Sequence, residues 1–390
     1  MKLTVIGLGQ CGGRIAEEFV RLNKRAQVKR GIEIVPTAFA VNTDVADLNS
    51  LTLIPADYRH RILIGNRKTQ GHGVGKISEL GAEIAREDCD KVISVIRAQG
   101  RAFETDGFLL AASAAGGTGS GSIAVVTQAI RERYVGKPVF DLIILPFQHE
   151  ESTEERTVYN TALCLKSAHA AANAVILVDN QRFLTRDLSL QHGLSNINSA
   201  IVDPFYDILC AGEESRPKFI GSKTLDAGDI MQTMTGWTTI GQGKAPPPKT
   251  SFFGKKLHFE KEGVRVNRAV RAMEQALSEM SLGCDPASAT KALYLLSAPA
   301  KELKIELVKE LAGYLRTIAP DAVIRNGDYP EHRSSLCVHV ILAGFRNIER
   351  VMGYYTKATR LVSRYSQRKE EDTGLKVDMD ALSKDLPSLL

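Results

Sequence analysis

Residues 115–121 read Ala115-Gly116-Gly117-Thr118-Gly119-Ser120-Gly121, and this stretch decides the fold. It follows an apolar run, Phe108–Ala112, suited to a buried strand, and precedes a helical pattern, Ser122–Arg133. Closely spaced glycines let successive backbone N–H groups turn toward one point, and a helix N-terminus behind them adds partial positive charge. The result is an anion-binding concavity, to which Thr118 and Ser120 add hydroxyl donors. The plainer reading is a tight turn needed only for packing. A second glycine loop weighs against it: Gly7-Leu8-Gly9-Gln10-Cys11-Gly12 also follows a strand pattern, Leu3–Gly7, and opens a helix, Gly12–Leu22. Alone, that segment matches the dinucleotide fingerprint G-x-G-x-x-G. Asp44, just after the strand Thr37–Val41, is the acid that an NAD-dependent oxidoreductase would turn toward a ribose. Two phosphate loops in one sheet, without a P-loop lysine, form a narrower pattern than either loop.

Outward from these loops the first part of the chain alternates strand and helix patterns, which predicts a parallel sheet with crossover helices. Further strands are expected at Arg61–Ile64, Phe140–Leu145 and Ala174–Val178, and helices at Ser78–Ala85 and Glu154–Ala172. A long helix over Ser195–Cys210 leads to a change of pattern near Pro217. Beyond it, strands are expected near Trp237–Ile240, Ala292–Ser297 and Leu336–Leu342, and helices at Val264–Met280 and Lys301–Ile318. Gly243–Glu262 reads as a loop, because Pro246-Pro247-Pro248 suits neither a helix interior nor a central strand. The expected architecture is α/β: a Rossmann-like parallel-sheet domain over 1–190, a long central helix over 191–214 and a second, smaller α/β domain over 215–360. A charged, mobile tail over 361–390 completes it.

The 390 residues exceed what one core usually holds, and 44% apolar against 24% charged residues is ordinary for a globular chain. A net charge of +5 gives no reason to expect a nucleic-acid partner. From Gly243 to Arg271 there are eight Lys/Arg against two Glu, read first as a solvated basic face. The six cysteines are dispersed without a CxxC pair, as expected of reduced, packed thiols rather than a zinc site. No basic-then-apolar leader and no run of about 18 apolar residues is present, so a cytoplasmic protein without a transmembrane segment is expected.

The glycine segments together resemble the tubulin/FtsZ superfamily of GTPases. Its Gly-Gly-Gly-Thr-Gly-Ser/Thr-Gly signature is matched at 115–121, with Ala115 in place of the first glycine. Gly9-Gln10-Cys11-Gly12 is similar to the tubulin opening loop and Ala40-Val41-Asn42-Thr43-Asp44 to the FtsZ second loop. Thr69-Gln70-Gly71-His72-Gly73-Val74-Gly75 is similar to the third, which contacts the γ-phosphate in that family. The run from Leu63 through Gly71-His72-Gly73-Val74-Gly75-Lys76 to Ala85, and Ala211-Gly212-Glu213, most resemble the archaeal CetZ branch. The resemblance implies GTP/GDP binding with Mg²⁺, hydrolysis of GTP, and head-to-tail filaments of the chain with itself. Carried over by position, the nucleotide would meet Gly9, Gln10, Cys11, Gly12, Arg14, Asn42, Gly71, His72, Gly73, Ala115, Gly116, Gly117, Thr118, Gly119, Ser120, Glu154 and Arg156. Arg14 stands where the family usually has Asn. Phe147–Arg156 is longer than the FtsZ ribose turn, and Ser152-x-x-Glu155 also fits a capping box. Asn180 would read the guanine edge. His192-Gly193-Leu194-Ser195-Asn196 is similar to tubulin's Tyr-x-x-x-Asn, so His192 would stack on the base and Asn196 read it.

Asp226-Ala227-Gly228-Asp229 places two carboxylates three apart before a helix, where they share a face and can orient one water. Helix capping is the plainer role for such residues. The resemblance implies that they complete the active site of the neighbouring subunit. Residues 243–262 would carry lateral contacts, and membranes would be met only through adaptors. The expected role is cytoskeletal, in cell shape or division. A non-polymerising GTP-binding regulator and an NAD-dependent Rossmann oxidoreductase are the alternatives.

Overall fold

The computed structural model describes residues 1–184, 190–247, 258–332, 335–366 and 387–389. In chain order the elements begin with β1 (Leu3–Leu8), α1 (Gly9–Arg30), β2 (Thr37–Asn42), α2 (Val45–Asn49), β3 (Arg61–Leu63), α3 (Asn66–Thr69) and α4 (Ser78–Ala98). There follow β4 (Gly107–Ser113), α5 (Thr118–Arg133), β5 (Val139–Leu145), α6 (Gln148–Thr153), α7 (Glu155–Ala171), β6 (Ala174–Asp179), α8 (Leu190–Val202) and α9 (Phe205–Ala211). The remainder is α10 (Ala227–Thr233), β7 (Gly236–Ala245), α11 (His258–Ser278), β8 (Lys291–Ala298), α12 (Ile305–Ile318), β9 (Val323–Pro330), β10 (Leu336–Phe345) and α13 (Glu349–Ser366). These form two compact units: residues 2–24, 35–202 and 347–390, and residues 1, 25–34 and 203–346.

In the first unit the strands run in the order β3-β2-β1-β4-β5-β6, all parallel. Helices on both faces leave β1, β2 and β5 buried along their whole length, which is why their sequences are mostly apolar without alternation, Thr4 and Asp141 being among the buried polar exceptions. The register sets Leu8 opposite both Val41 and Ala112. The three strands therefore finish level, and the loops that follow them leave from one edge, where parallel sheets bind ligands.

In the second unit the order is β7-β10-β8-β9, with β10 antiparallel to both neighbours and β8 parallel to β9. Helix α12 buries Leu307, Leu311 and Leu315, spaced four apart on one stripe.

Several expectations need correction. The central helix is interrupted at Asp203-Pro204, between α8 and α9, because proline has no N–H to donate and disfavours helical backbone at the residue before it. The expected loop 243–262 is shorter at both ends. Gly243 and Ala245 pair with Val338 and Leu336 of β10, and α11 begins at His258; residues 248–257 lie outside the described residues. Helix α4 continues beyond Ala85, burying Val92 and Ile96 on the same stripe. Strand β9 and helices α2, α3, α6 and α13 are additions to the expected elements, while α10 is the helix expected at Asp226–Asp229.

Residues 349–360, placed by the sequence within the second domain, form part of α13, which belongs to the first unit. Its Tyr354 hydroxyl donates to Glu151 at 2.6 Å, and its Arg350 lies 3.7 Å from Asp179. The expected mobile tail is likewise helical to Ser366 and is packed at Leu389; residues 367–386 and 390 lie outside the described residues. Among the described residues no helix is long and apolar enough to cross a membrane.

Candidate functional site

The glycine segments that lie far apart in sequence meet at the carboxyl edge of the first unit. Gly9 has φ +71°, a left-handed backbone that favours glycine, and a Cβ there would stand 3.0 Å from the Gly119 nitrogen. The first and fourth loops thus touch backbone to backbone. The second loop joins them through a hydroxyl pair, Thr43 Oγ1 to Thr118 Oγ1 at 2.6 Å. Asn42, buried at the end of β2, accepts the Thr43 N–H at 2.8 Å and donates to Asp47 at 3.1 Å, which fixes this turn. The third loop is tied on by the Gly73 N–H donating to the Thr43 carbonyl at 3.1 Å. Its backbone is left-handed at Gln70, Gly71, Gly73, Gly75 and Lys76; the Gln70 N–H closes α3 on the Asn66 carbonyl at 2.9 Å and the His72 N–H donates to the Thr69 carbonyl at 3.0 Å. His72 is exposed on it.

Within the signature loop the residues face different ways. Gly116 has open space where a Cβ would be, whereas a Cβ on Gly117 would lie 2.6 Å from Val74 and 2.7 Å from the Ile77 nitrogen. Ser120 is fully buried; its hydroxyl pairs with Ser78 Oγ at 2.7 Å and donates to the Gly116 carbonyl. The expectation that Ser120 offers a hydroxyl to the ligand is therefore corrected: it ties α5 to α4. Ala115 is buried, and its carbonyl accepts from Asn160 at 3.1 Å.

Asn160 is a residue that the sequence reading missed. Buried on α7, its amide nitrogen donates to the carbonyls of Lys76, Ala115 and Gly116 at 2.9, 3.1 and 3.1 Å, joining third loop to fourth. The available signal was a lone amide on the apolar face of a helix. Glu154 pairs with Lys76, and Arg156 donates to the Lys76 carbonyl at 3.4 Å and pairs with Glu79 in the first turn of α4, so both stand at the end of the third loop. The expected Ser152/Glu155 capping box does not form, since Ser152 donates to the His149 carbonyl at 2.9 Å. Instead Glu150 accepts the Phe147 N–H at 2.9 Å at the start of α6.

On the opening loop, Gln10 donates to Asp47 at 2.8 Å and Arg14 to Ser50 Oγ at 3.1 Å. Burial pushes the Cys11 thiol up to about 12, with Glu150 adding to the effect, so it stays protonated. Asp44 caps α2 by accepting the Asp47 N–H at 3.0 Å, a role that ties up the carboxylate on which the oxidoreductase reading depends. Asn180 opens the turn after β6 and is half-buried, while Asn196 is exposed on α8. The side chain of His192 lies outside the described residues.

The two acids lie in the second unit. Asp226 caps α10, accepting the Asp229 N–H at 2.8 Å, as an extended residue before a helix does. Asp229 faces Arg325 of β9 at 3.3 Å, and Arg325 also donates to Gln232 at 2.6 Å. The plainer capping role is thus real for Asp226, and Asp229 has a partner that sets the direction of its carboxylate.

Residues 2–186 match the Tubulin/FtsZ family GTPase domain, and residues 187–360 match the C-terminal domain of tubulin-like CetZ proteins. The tubulin-like protein CetZ1 of Haloferax volcanii is 31% identical over 370 residues, covering 90% of each chain. The CetZ protein of Pyrococcus abyssi is 26% identical over 385 residues, covering 97% of this chain and 95% of its own. Among solved structures, CetZ1 of Haloferax volcanii as a GDP-bound monomer is similar with a TM-score of 0.79 at 28% identity, covering 93% of this chain and 100% of that one. The GTPγS-bound protofilament of CetZ2 from the same organism gives 0.80 at 27% identity, covering 94% and 100%. With both halves matched and a relative above 30% identity along nearly its whole length, this chain belongs to the tubulin/FtsZ family, among the tubulin-like CetZ proteins.

Proposed function

We propose that the chain binds GTP at the carboxyl edge of its first unit, hydrolyses it to GDP and phosphate, and assembles head to tail into filaments. The observation that carries this is the meeting of four separate loops, through Gly9 with Gly119, Thr43 with Thr118, and Gly73 with Thr43. They form a backbone-lined anion site at a helix N-terminus. Asn180 and Asn196 would read the guanine edge and His192 would stack on it. Mg²⁺ takes oxygen ligands and keeps several waters. Burial, with the Asp44 charge adding, holds the Asp47 carboxyl above its ordinary range, while Asn42, Gln10 and Arg14 pull the other way. When bound, the ion would neutralise charge on the phosphates.

In the chemical step, water attacks the γ-phosphorus while the bond to the β–γ bridging oxygen breaks and GDP departs. Asp229, oriented by Arg325, would position that water, and Asp226 would hold the loop and assist. These acids would act on the nucleotide of the next copy, a heterologous contact that extends into an open filament. The relatives bearing GDP as a monomer and GTPγS in a protofilament support this reading. A cytoskeletal role in cell shape or division follows, exercised in the cytoplasm, with membranes reached through adaptors. Light scattering with GTP against GDP tests it. A rise with GTP alone, accompanied by phosphate release, is expected; no phosphate release, or an equal rise with GDP, would overturn it.

A further inference from the structure

The chain's C-terminal tip has no part in the chemistry above, yet it is well held. Leu389 is 3% exposed and packs on Ala82, Ala85, Val125 and Leu163, with Cys89 and Tyr159 against the same cluster. Its main chain is bonded on both sides: the N–H donates to Ser167 Oγ at 2.9 Å, and the carbonyl accepts from Arg86 at 2.7 Å. The walls are α4, α5 and α7 of the first unit. A side-chain pocket combined with main-chain hydrogen bonds is how proteins hold extended peptides: the pocket selects and the bonds align. Casual collapse of an apolar end would leave the N–H and the carbonyl without partners.

Connectivity does not force this contact. Residues 367–386 separate α13 from the tip, and at about 3.3–3.6 Å per residue they reach roughly 70 Å when extended. We propose that the groove between α4, α5 and α7 is a binding site for an extended, leucine-bearing peptide, and that its ligand is this chain's own tip, Pro387–Leu389. The site adjoins the place where α4 and α5 meet closely, since a Cβ on Gly81 would lie 2.3 Å from the Gly117 carbonyl oxygen. A bound tip therefore bears on the helices that present the third and fourth loops.

Cys89, packed against the cluster, is a native reporter. Alkylation of the full chain by iodoacetamide, followed residue by residue by mass spectrometry, reads the groove. Leu389→Asp should raise the Cys89 rate by about tenfold, because access controls thiol reactivity. Cys284, in the second unit, should be unchanged and guards against general unfolding. A peptide of residues 381–390, added at about 1 mM to match a tethered concentration, should restore protection, and the same peptide with Leu389→Asp should not. An unchanged Cys89 rate in the Leu389→Asp chain would show that the tip does not cover the groove. A raised rate that the peptide fails to lower would mean that α4 had loosened rather than that a site had emptied. Either result overturns the proposal, and neither depends on nucleotide, so its failure is distinct from failure of the GTPase reading.

Discussion

Gly116 and Gly117 are neighbours with opposite surroundings. The space beyond Gly116 is open, while Gly117 faces Val74 and Ile77 of the third loop. Gly116→Val should keep the melting temperature and lose GTP affinity, whereas Gly117→Val should lose about 1–3 kcal/mol of stability through overpacking. Thermal melts paired with calorimetry separate the two. A Gly116→Val chain that binds GTP like the wild type would remove this loop from the phosphate site. Asn160→Ala leaves three loop carbonyls, the buried one of Ala115 among them, short of a donor. It should cost about 1–3 kcal/mol and weaken GTP binding, because the third and fourth loops lose their tie. Unchanged stability and affinity would show that the tie is dispensable.

Asp141, buried on β5, accepts from Thr127 at 2.6 Å, and its second oxygen has no partner among the described residues. Burial raises its pKa well above the ordinary range. Its stabilising contribution is thus complete below the unfolded pKa of about 3.9 and fades as pH rises from there toward the folded value. Asp141→Asn should gain about 1–3 kcal/mol over wild type above that window. The gain should shrink toward acid pH in denaturant titrations, and a gain independent of pH would refute the assignment.

At the scale of elements, Asp226 combines two roles that one substitution can separate. Asn caps a helix as well as Asp does but carries no charge. Asp226→Asn should therefore leave the melting temperature in place while slowing phosphate release, and Asp226→Ala should lose about 0.5–2 kcal/mol as well. If Asp226→Asn hydrolyses GTP at the wild-type rate, its carboxylate serves α10 alone. The interruption between α8 and α9 belongs to this scale too, and was legible in Asp203-Pro204 itself. Strand β7 was not: Gly243 and Ala245 look like loop residues until the antiparallel partner β10 supplies their hydrogen bonds. Propensity yields there to a partner almost a hundred residues away, since Val338 pairs with Gly243.

At the scale of the whole molecule, a filament enzyme whose acids serve a neighbour must lose activity on dilution. Phosphate release per chain should fall as concentration drops below the assembly threshold, and Asp229→Ala should assemble with GTP yet turn over slowly. A constant rate per chain under dilution would mean that the site is complete within one copy.

The sequence by itself determined the parallel α/β unit, the glycine loops at its carboxyl edge and the family, because strand runs, glycine spacing and helix starts act through near neighbours. Only the tertiary structure decided which way each loop residue faces. Ser120 turns to Ser78, 42 residues away, and Asn160 gathers two loops that nothing near it in sequence announces. The C-terminal tip, expected to be loose from its charge and lack of aromatics, is held by Arg86 across 303 residues. Such contacts are selected by packing and by the need to pair buried polar groups. Those demands exist only after distant segments have been brought together.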